Sequence, residues 1–153
     1  MKLRTIALTI ITCCVGLTMA FASPHMGTWK LNEAKSKIPA GTPKNITVVY
    51  ATSGDSVKVT VDGVDGAGKP THNEWTGKFD GKDYPLAGDP NADVRSYKTV
   101  DANSMDLTNK KAGKVTITGR IVISADGKSR TVTIKGKDAM GMDISSTAVY
   151  DKQ

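Results

Sequence analysis

The chain alternates apolar with polar or small residues along most of its length, and Gly-containing turns interrupt the alternation at short intervals. The longest run places Val115, Ile117, Gly119, Ile121 and Ile123 on one side of an extended segment. A period of two residues is the repeat of a β-strand that has one buried face. The pattern therefore predicts an all-β chain with little helix.

The turns between these runs favour hairpins. Asp-Gly pairs at Asp62-Gly63, Asp65-Gly66, Asp80-Gly81 and Asp126-Gly127 supply the positive φ angles that two-residue hairpin turns require. Many short strands joined mostly by hairpins favour a closed barrel over a Greek-key sandwich. We expect a single antiparallel up-and-down β-barrel of about eight to ten strands, with a helical turn at most between residues 33 and 37.

The first 22 residues have the pattern of an export signal. Lys2 and Arg4 precede an apolar run that ends near position 20, and Ala20-Phe21-Ala22 fits the small-x-small pattern read by signal peptidase. We expect a signal peptide over residues 1–22 and a secreted or periplasmic protein. The alternative is an uncleaved N-terminal anchor, for which the apolar run is short.

The two cysteines, Cys13 and Cys14, both lie inside that apolar run. Thr12 is too large for the small residue that precedes a lipid-modified cysteine, so lipidation at Cys13 is the weaker reading. Cleavage would leave one domain over residues 23–153 without a thiol, although disulfides form readily after export. Such a domain depends on its own core, and it has no thiol nucleophile or thiolate metal ligand.

The charge of the chain does not indicate a nucleic-acid partner. Lys and Arg total 21 against 15 Asp and Glu, a formal net charge of +6, but the basic residues are scattered and aromatic residues make up 5%. A nucleic-acid surface needs a concentrated basic stripe with interleaved aromatics. We interpret the charge as favouring solubility, with weak attraction to anionic envelope components.

The two ends of the expected domain carry a family resemblance. Gly27-Thr28-Trp29-Lys30-Leu31-Asn32 opens it, Lys35-Ser36-Lys37 follows, and Ala148-Val149-Tyr150-Asp151-Lys152 closes it. With these segments the chain resembles the lipocalin-like (calycin) superfamily, in particular small exported bacterial proteins of unknown function that share the opening. The resemblance implies a barrel that binds a small molecule.

The resemblance also implies a structural role for the opening motif. Gly27 and Trp29 would plug the closed end of the barrel, with the indole packed against a basic residue from a late strand. Arg120 and Arg130 are both candidates for that residue.

The chain departs from the intracellular fatty-acid-binding proteins, which have a similar opening. Residues 33–44 are too few for their two lid helices. The Arg that holds the ligand carboxylate there stands two residues before a Tyr in the last strand, and Ala148 occupies that position here. Lys82-Asp83-Tyr84 comes too early to serve as the second lipocalin motif. A carboxylate site of that design is therefore not expected.

Metal binding has little support in the sequence. The imidazoles are His25 and His72, and no spacing collects the three or four ligands that zinc requires. The segment Asp89–Asp93 begins like a calcium-binding loop, but Val94 and Val100 stand where that loop needs Gly and Glu. We expect no metal and no cofactor.

Catalytic patterns are equally weak. The sequence contains no Gly-x-Ser-x-Gly elbow, and a serine triad would have to use His72 as its base. Glu74 with Asp80 or Asp83 would supply paired carboxylates, but Glu74 lies on the polar side of its strand. The chain is not expected to be an enzyme.

Apolar binding is the remaining functional signal. Small residues at Gly77, Gly119 and Gly136 would leave room inside the barrel. The residues expected to line a cavity are Trp75, Phe79, Tyr84, Tyr97 and Met105. In the alternative reading they fill a solid core, as in other small barrels.

The predicted function is an exported binding protein for a small apolar or amphipathic molecule. The alternative is a structural or interaction protein of the cell envelope without a small-molecule ligand.

Overall fold

A computed structural model describes residues 23–137 and 140–153 of the chain. Across those residues it contains ten strands: β1 (Gly27–Leu31), β2 (Lys44–Ser53), β3 (Ser56–Val64), β4 (Pro70–Gly77), β5 (Tyr84–Ala87), β6 (Val94–Thr99), β7 (Ser104–Lys111), β8 (Lys114–Ile123), β9 (Ser129–Lys137) and β10 (Asp143–Lys152). Each strand pairs antiparallel with its neighbours in sequence, and β1 pairs with β10 to close the barrel. The predicted all-β, up-and-down antiparallel barrel is confirmed.

Closure depends on the short first strand. In β1, Trp29 lies opposite Val48 of β2 on one side and Lys152 of β10 on the other. Because both sides of β1 are paired, the sheet has no open edge to attract another chain. A 3-10 turn at Glu33–Lys35 follows, capped by the Asn32 side chain, which accepts a hydrogen bond from the Lys35 amide.

The barrel has two different ends. The closed end carries the N-terminal segment 23–26, the C-terminus and the hairpin turns that follow β2, β4, β6 and β8. The open end carries the longer loop 32–43, loops 65–69 and 88–93, and the turns that follow β7 and β9. Inward-facing residues line the interior between the two ends, and Trp29, Val59 and Met105 are fully buried there.

A bulge changes the predicted inner face of β8. Ile117, Gly119, Ile121 and Ile123 keep the expected register, but the pairing with β7 shifts beyond Asn109, so that Lys110 lies opposite Val115. One extra residue on a strand reverses the direction of every side chain beyond it. Val115 is therefore 56% exposed instead of buried.

The Asp62-Gly63 pair is not a turn. Both residues lie inside β3, which continues to Val64, and their partners on β2 shift register between Asn45 and Thr47. A Cβ atom on Gly63 would collide with the Lys44 carbonyl oxygen. Glycine here permits the two backbones to approach at a bulge. Asp126-Gly127, by contrast, does join β8 to β9, and Gly127 has a φ of 70°.

The signal peptide predicted over residues 1–22 lies outside the described residues. Across residues 23–137 and 140–153, no helix is long and apolar enough to cross a membrane.

Candidate ligand-binding cavity

The closed end of the barrel is plugged by Trp29 and Arg130. Arg130 follows the β8–β9 turn and faces inward, and its guanidinium carbon lies 5.2 Å from the Trp29 ring centroid. The same carbon lies 5.2 Å from the Tyr50 ring and 4.6 Å from the Tyr150 ring. A cation on the faces of aromatic rings gains electrostatic attraction without a carboxylate. Arg130 is therefore the arginine that packs on Trp29.

Arg120, the other candidate, lies on the outer face of β8. Its Nε donates to Asp106 Oδ1 at 2.8 Å and its Nη2 to Asp106 Oδ2 at 3.1 Å. With 54% of its side chain exposed, Arg120 does not reach the plug. Gly27 begins β1 with a φ of 107° and lies beside the Lys152 side chain, 3.2 Å from where its Cβ would stand.

The N-terminal segment covers the plug from below. The carbonyl oxygen of His25 accepts a hydrogen bond from Trp29 Nε1 at 2.9 Å, and the His25 ring is buried against Phe79. Neither ring nitrogen finds a hydrogen-bond partner among the described residues. Burial lowers the pKa of His25 to about 4, and the charge of Arg130 acts in the same direction.

Four of the five predicted cavity residues pack into an aromatic cluster in the closed half. The Trp75 and Tyr97 rings lie 4.8 Å apart, edge to face, and Phe79 lies 5.8 Å from Tyr97 and 6.4 Å from Trp75. Tyr84 lies 5.7 Å from Trp75. Gly77 leaves no room for a ligand, because the Trp75 and Tyr84 rings occupy the space above it. In the closed half, these residues therefore fill a solid core, as in the alternative to a ligand cavity.

A cavity of about 200 Å³ lies in the other half, toward the open end. None of Trp75, Phe79, Tyr84, Tyr97 and Met105 is among its lining residues, so the cavity lies elsewhere than the sequence predicted. Most of its wall is apolar and comes from inward-facing side chains of β7 to β10 and from the loop after β1. These residues are Ile38, Leu107, Ile117, Val132, Ile134, Ile144 and Ala148.

The aromatic cluster and the cavity occupy different halves because large and small residues are segregated. Tyr150 at the floor of the cavity pairs with Arg130, and beyond it toward the open end β10 presents Ala148 and Ser146 to the interior. These small side chains cannot reach across the barrel, so a space remains. Gly136, expected to widen the interior, instead lies against the backbone of Thr116 and Ile117.

Arg95 is a buried charged residue in the cavity wall. It is 6% exposed, and its Nε donates to Asn109 Oδ1 at 2.8 Å, from the position directly opposite on β7. Its Nη1 reaches the Tyr97 hydroxyl at 3.5 Å. Because a guanidinium has five N–H donors, one short hydrogen bond leaves most of its donor capacity for another group in the cavity.

The acidic partner of Arg95 is Asp89, in the loop between β5 and β6. Its Oδ2 lies 3.8 Å from Arg95 Nη2, beyond hydrogen-bond distance, and its Oδ1 accepts from the Asn91 amide at 2.9 Å. Gly88 turns the chain into this loop with a φ of 85°, at a point where a Cβ would collide with the His72 carbonyl oxygen. Asp89 is therefore held at the mouth of the cavity, beside Arg95.

The spacing of residues in β6 and β7 could have predicted that Arg95 faces the interior. Arg95 stands two residues before Tyr97, and Asn109 two residues after Leu107. In a strand, residues two apart point to the same side. Because Tyr97 is buried, Arg95 must also point to the inside of the barrel. The mostly polar sequence of β6 made this difficult to see.

The imidazole of His72 belongs to a surface cluster outside the cavity. Its Nδ1 lies 2.7 Å from Asp62 Oδ1 and its Nε2 3.7 Å from Glu74 Oε1, while Lys58 pairs with Glu74 at 2.7 Å. The hydrogen bond to Asp62 raises the pKa of His72. In the part of the chain that the structure describes, no three His, Cys, Asp or Glu side chains are arranged to hold a metal ion.

Fold and site together define a closed ten-stranded antiparallel meander barrel, plugged at one end and hollow toward the other. No family model matches the chain, and comparison with curated proteins finds no matching relative.

Proposed function

We propose that this chain is an exported, lipocalin-like protein that binds a small amphipathic molecule in the cavity at the open end of the barrel. One observation carries the proposal. The cavity combines a largely apolar wall with a buried arginine whose donors are incompletely used. Ligand sites of this kind pair apolar surface, which supplies affinity, with a few polar groups, which fix orientation.

The size of the cavity limits the ligand. Sites for drug-sized molecules span about 300–1,000 Å³, and this cavity measures about 200 Å³. A small molecule fits entirely inside, or a longer one leaves its far end in the mouth between loops 32–43 and 88–93. The lipocalin-like assignment is supported by the barrel and by the Trp29–Arg130 plug.

Native mass spectrometry of the protein purified from its own host, before and after organic extraction, tests this function. We expect a stoichiometric small molecule that extraction removes. Ser146→Leu should prevent its retention, because residue 146 lines the cavity, whereas Ser145→Leu places the same side chain on the exposed outer face of β10 and should retain it. A protein that carries no ligand and shows no thermal shift with a lipid panel would favour the structural or interaction role.

A further inference from the structure

We infer that Arg95 binds the carboxylate of an apolar acid, and that this carboxylate takes the place of Asp89 beside the guanidinium. The inference rests on the proposed binding of an amphipathic molecule in the same cavity, and it specifies the chemical class of the ligand and a residue that limits its affinity.

Arg95 is a buried cation with a loosely placed carboxylate partner. Its side chain is 7% exposed, and the carboxylate oxygen paired with it is 3.8 Å away. Charge-assisted hydrogen bonds between such groups are about 2.7–2.9 Å long. Asp89, at the longer distance, therefore offsets the desolvation cost of the buried cation only in part. An anion inside the cavity would remove that cost, which a neutral ligand would not.

Asp89 is fixed within its own loop. One of its oxygens is engaged by the Asn91 amide within its own loop, and 17% of the side chain is exposed compared with 7% for Arg95. The carboxylate is thus partly hydrated and held by the loop at a distance from the guanidinium. It competes weakly for Arg95, so a ligand carboxylate that reaches the planar N–H fork can displace it.

The other charged groups at the mouth are engaged within the chain. Lys44 lines the cavity, but its Nζ is paired with Glu33 Oε2 at 2.6 Å. Asp65 also lines it, and its Oδ1 accepts from the amides of Ala67 and Lys69. Of the cations that line the cavity, Arg95 is therefore the one without a short ion pair, and the charges of Asp65 and Asp89 oppose any ligand with more than one negative charge. A single charge matches a carboxylate and leaves a phosphate dianion undercompensated.

The remaining wall defines the rest of the ligand. On one side of the space beside Arg95, the wall is formed by Leu107, Ile117, Val132, Ile134 and Ile144 and favours a hydrocarbon group. Thr71 and Asn73 of β4 make another side polar. Tyr150 closes the floor, so the hydrocarbon cannot extend into the closed half. A medium-chain carboxylic acid fits both the chemistry and the depth of the cavity.

Isothermal titration calorimetry with octanoate and octan-1-ol tests the inference, because the two probes share a chain length and differ in the head group. We expect octanoate to bind about tenfold or more tightly than octan-1-ol, the advantage of a hydrogen bond to a charged group. Arg95→Met should abolish this preference and leave octan-1-ol binding in place.

Asp89→Asn provides a second, opposite effect. Removing the competing charge should tighten octanoate binding by about threefold to tenfold and leave octan-1-ol unchanged. Asp93→Asn is the matched control, since it removes the same charge from the same loop at a residue that does not line the cavity. This comparison decides the question even where Arg95→Met fails to fold.

The outcomes separate the two proposals. Equal binding of both probes, or an Asp89→Asn effect no larger than that of Asp93→Asn, would overturn the carboxylate inference and leave the binding function intact. If neither probe binds and the host-purified protein carries no ligand, both proposals fall.

Discussion

Two buried arginines in this barrel are stabilised in different ways. Arg130 lies against the rings of Trp29, Tyr50 and Tyr150, and its Nε and Nη1 have no hydrogen-bond partner among the described residues. Arg95 has a short hydrogen bond to Asn109 and a carboxylate partner, Asp89, at 3.8 Å. Arg130 is 2% exposed and contacts three aromatic rings, which suits a structural plug. Arg95 borders a cavity, which suits the binding of a ligand.

His25 gives the plug a pH dependence. Its pKa is lowered from 6.5 to about 4 in the folded chain by burial and by Arg130 and Lys152, while Asp101 opposes them. The unfolded chain therefore binds the proton more readily, so stability is complete above about pH 6.5 and falls as the pH decreases towards 4. We expect a loss of about 2 kcal/mol over that interval, measured by urea unfolding at each pH.

Two substitutions identify the source of that loss. His25→Gln should flatten the decline, because the buried group no longer takes up a proton. His72→Gln should not flatten it, since the pKa of His72 is raised by Asp62 and its protonation favours the folded chain. An unchanged slope in His25→Gln would contradict the assignment.

At the scale of a strand, bulges decide which side chains face the core. The β7–β8 bulge turns Val115 outward, and the β2–β3 bulge lets the chain run through Asp62-Gly63 as strand. Within each run, the alternation of apolar and polar residues indicates which side chains face the core. At each bulge this alternation changes phase, so the residues beyond it face the opposite side.

Alanine substitutions along β8 test this reading. Val115→Ala should change the free energy of unfolding by less than about 0.5 kcal/mol, because the side chain is exposed. Ile121→Ala should cost about 2–4 kcal/mol, because Ile121 is 2% exposed and its loss leaves a void. Chemical denaturation measures both, and a similar cost at the two positions would place Val115 in the core instead.

The whole barrel divides into a filled half and a hollow half. The aromatic cluster and the Trp29–Arg130 plug occupy the closed half, and the cavity of about 200 Å³ occupies the open half. The filled half holds the strands in place, so a ligand can enter the other half without breaking the barrel. A bound ligand should therefore stabilise the folded chain as a whole.

Ligand binding in the open half should increase the free energy of unfolding. Octanoate at about one hundred times its dissociation constant should raise the free energy of unfolding by about 2.7 kcal/mol. Ser146→Leu should remove this increase by filling the cavity, whereas Ser145→Leu should preserve it. Thermal unfolding with and without octanoate measures the effect, and an equal increase in both variants would place the binding site elsewhere.

Sequence patterns were sufficient to predict the all-β class, the meander order of the strands and the hairpin at Asp126-Gly127. These features depend on local rules, namely strand alternation and the positive φ of glycine in tight turns. The resemblance of its opening segment narrowed the partner of Trp29 to Arg120 or Arg130. Choosing Arg130 required the register between β9 and β10, which sets it opposite Tyr150.

The position of the cavity could be found only from the folded barrel. The large aromatic residues that suggested a ligand site in the sequence contact one another across the barrel. Such contacts between distant strands cannot be predicted from the alternation of residues within one strand. The space remains where β10 carries Ala148 and Ser146, and Arg95 borders it because β6 and β7 bring it beside Asn109. Which residues enclose a void depends on closure of the whole barrel, because a strand specifies only which side each residue faces.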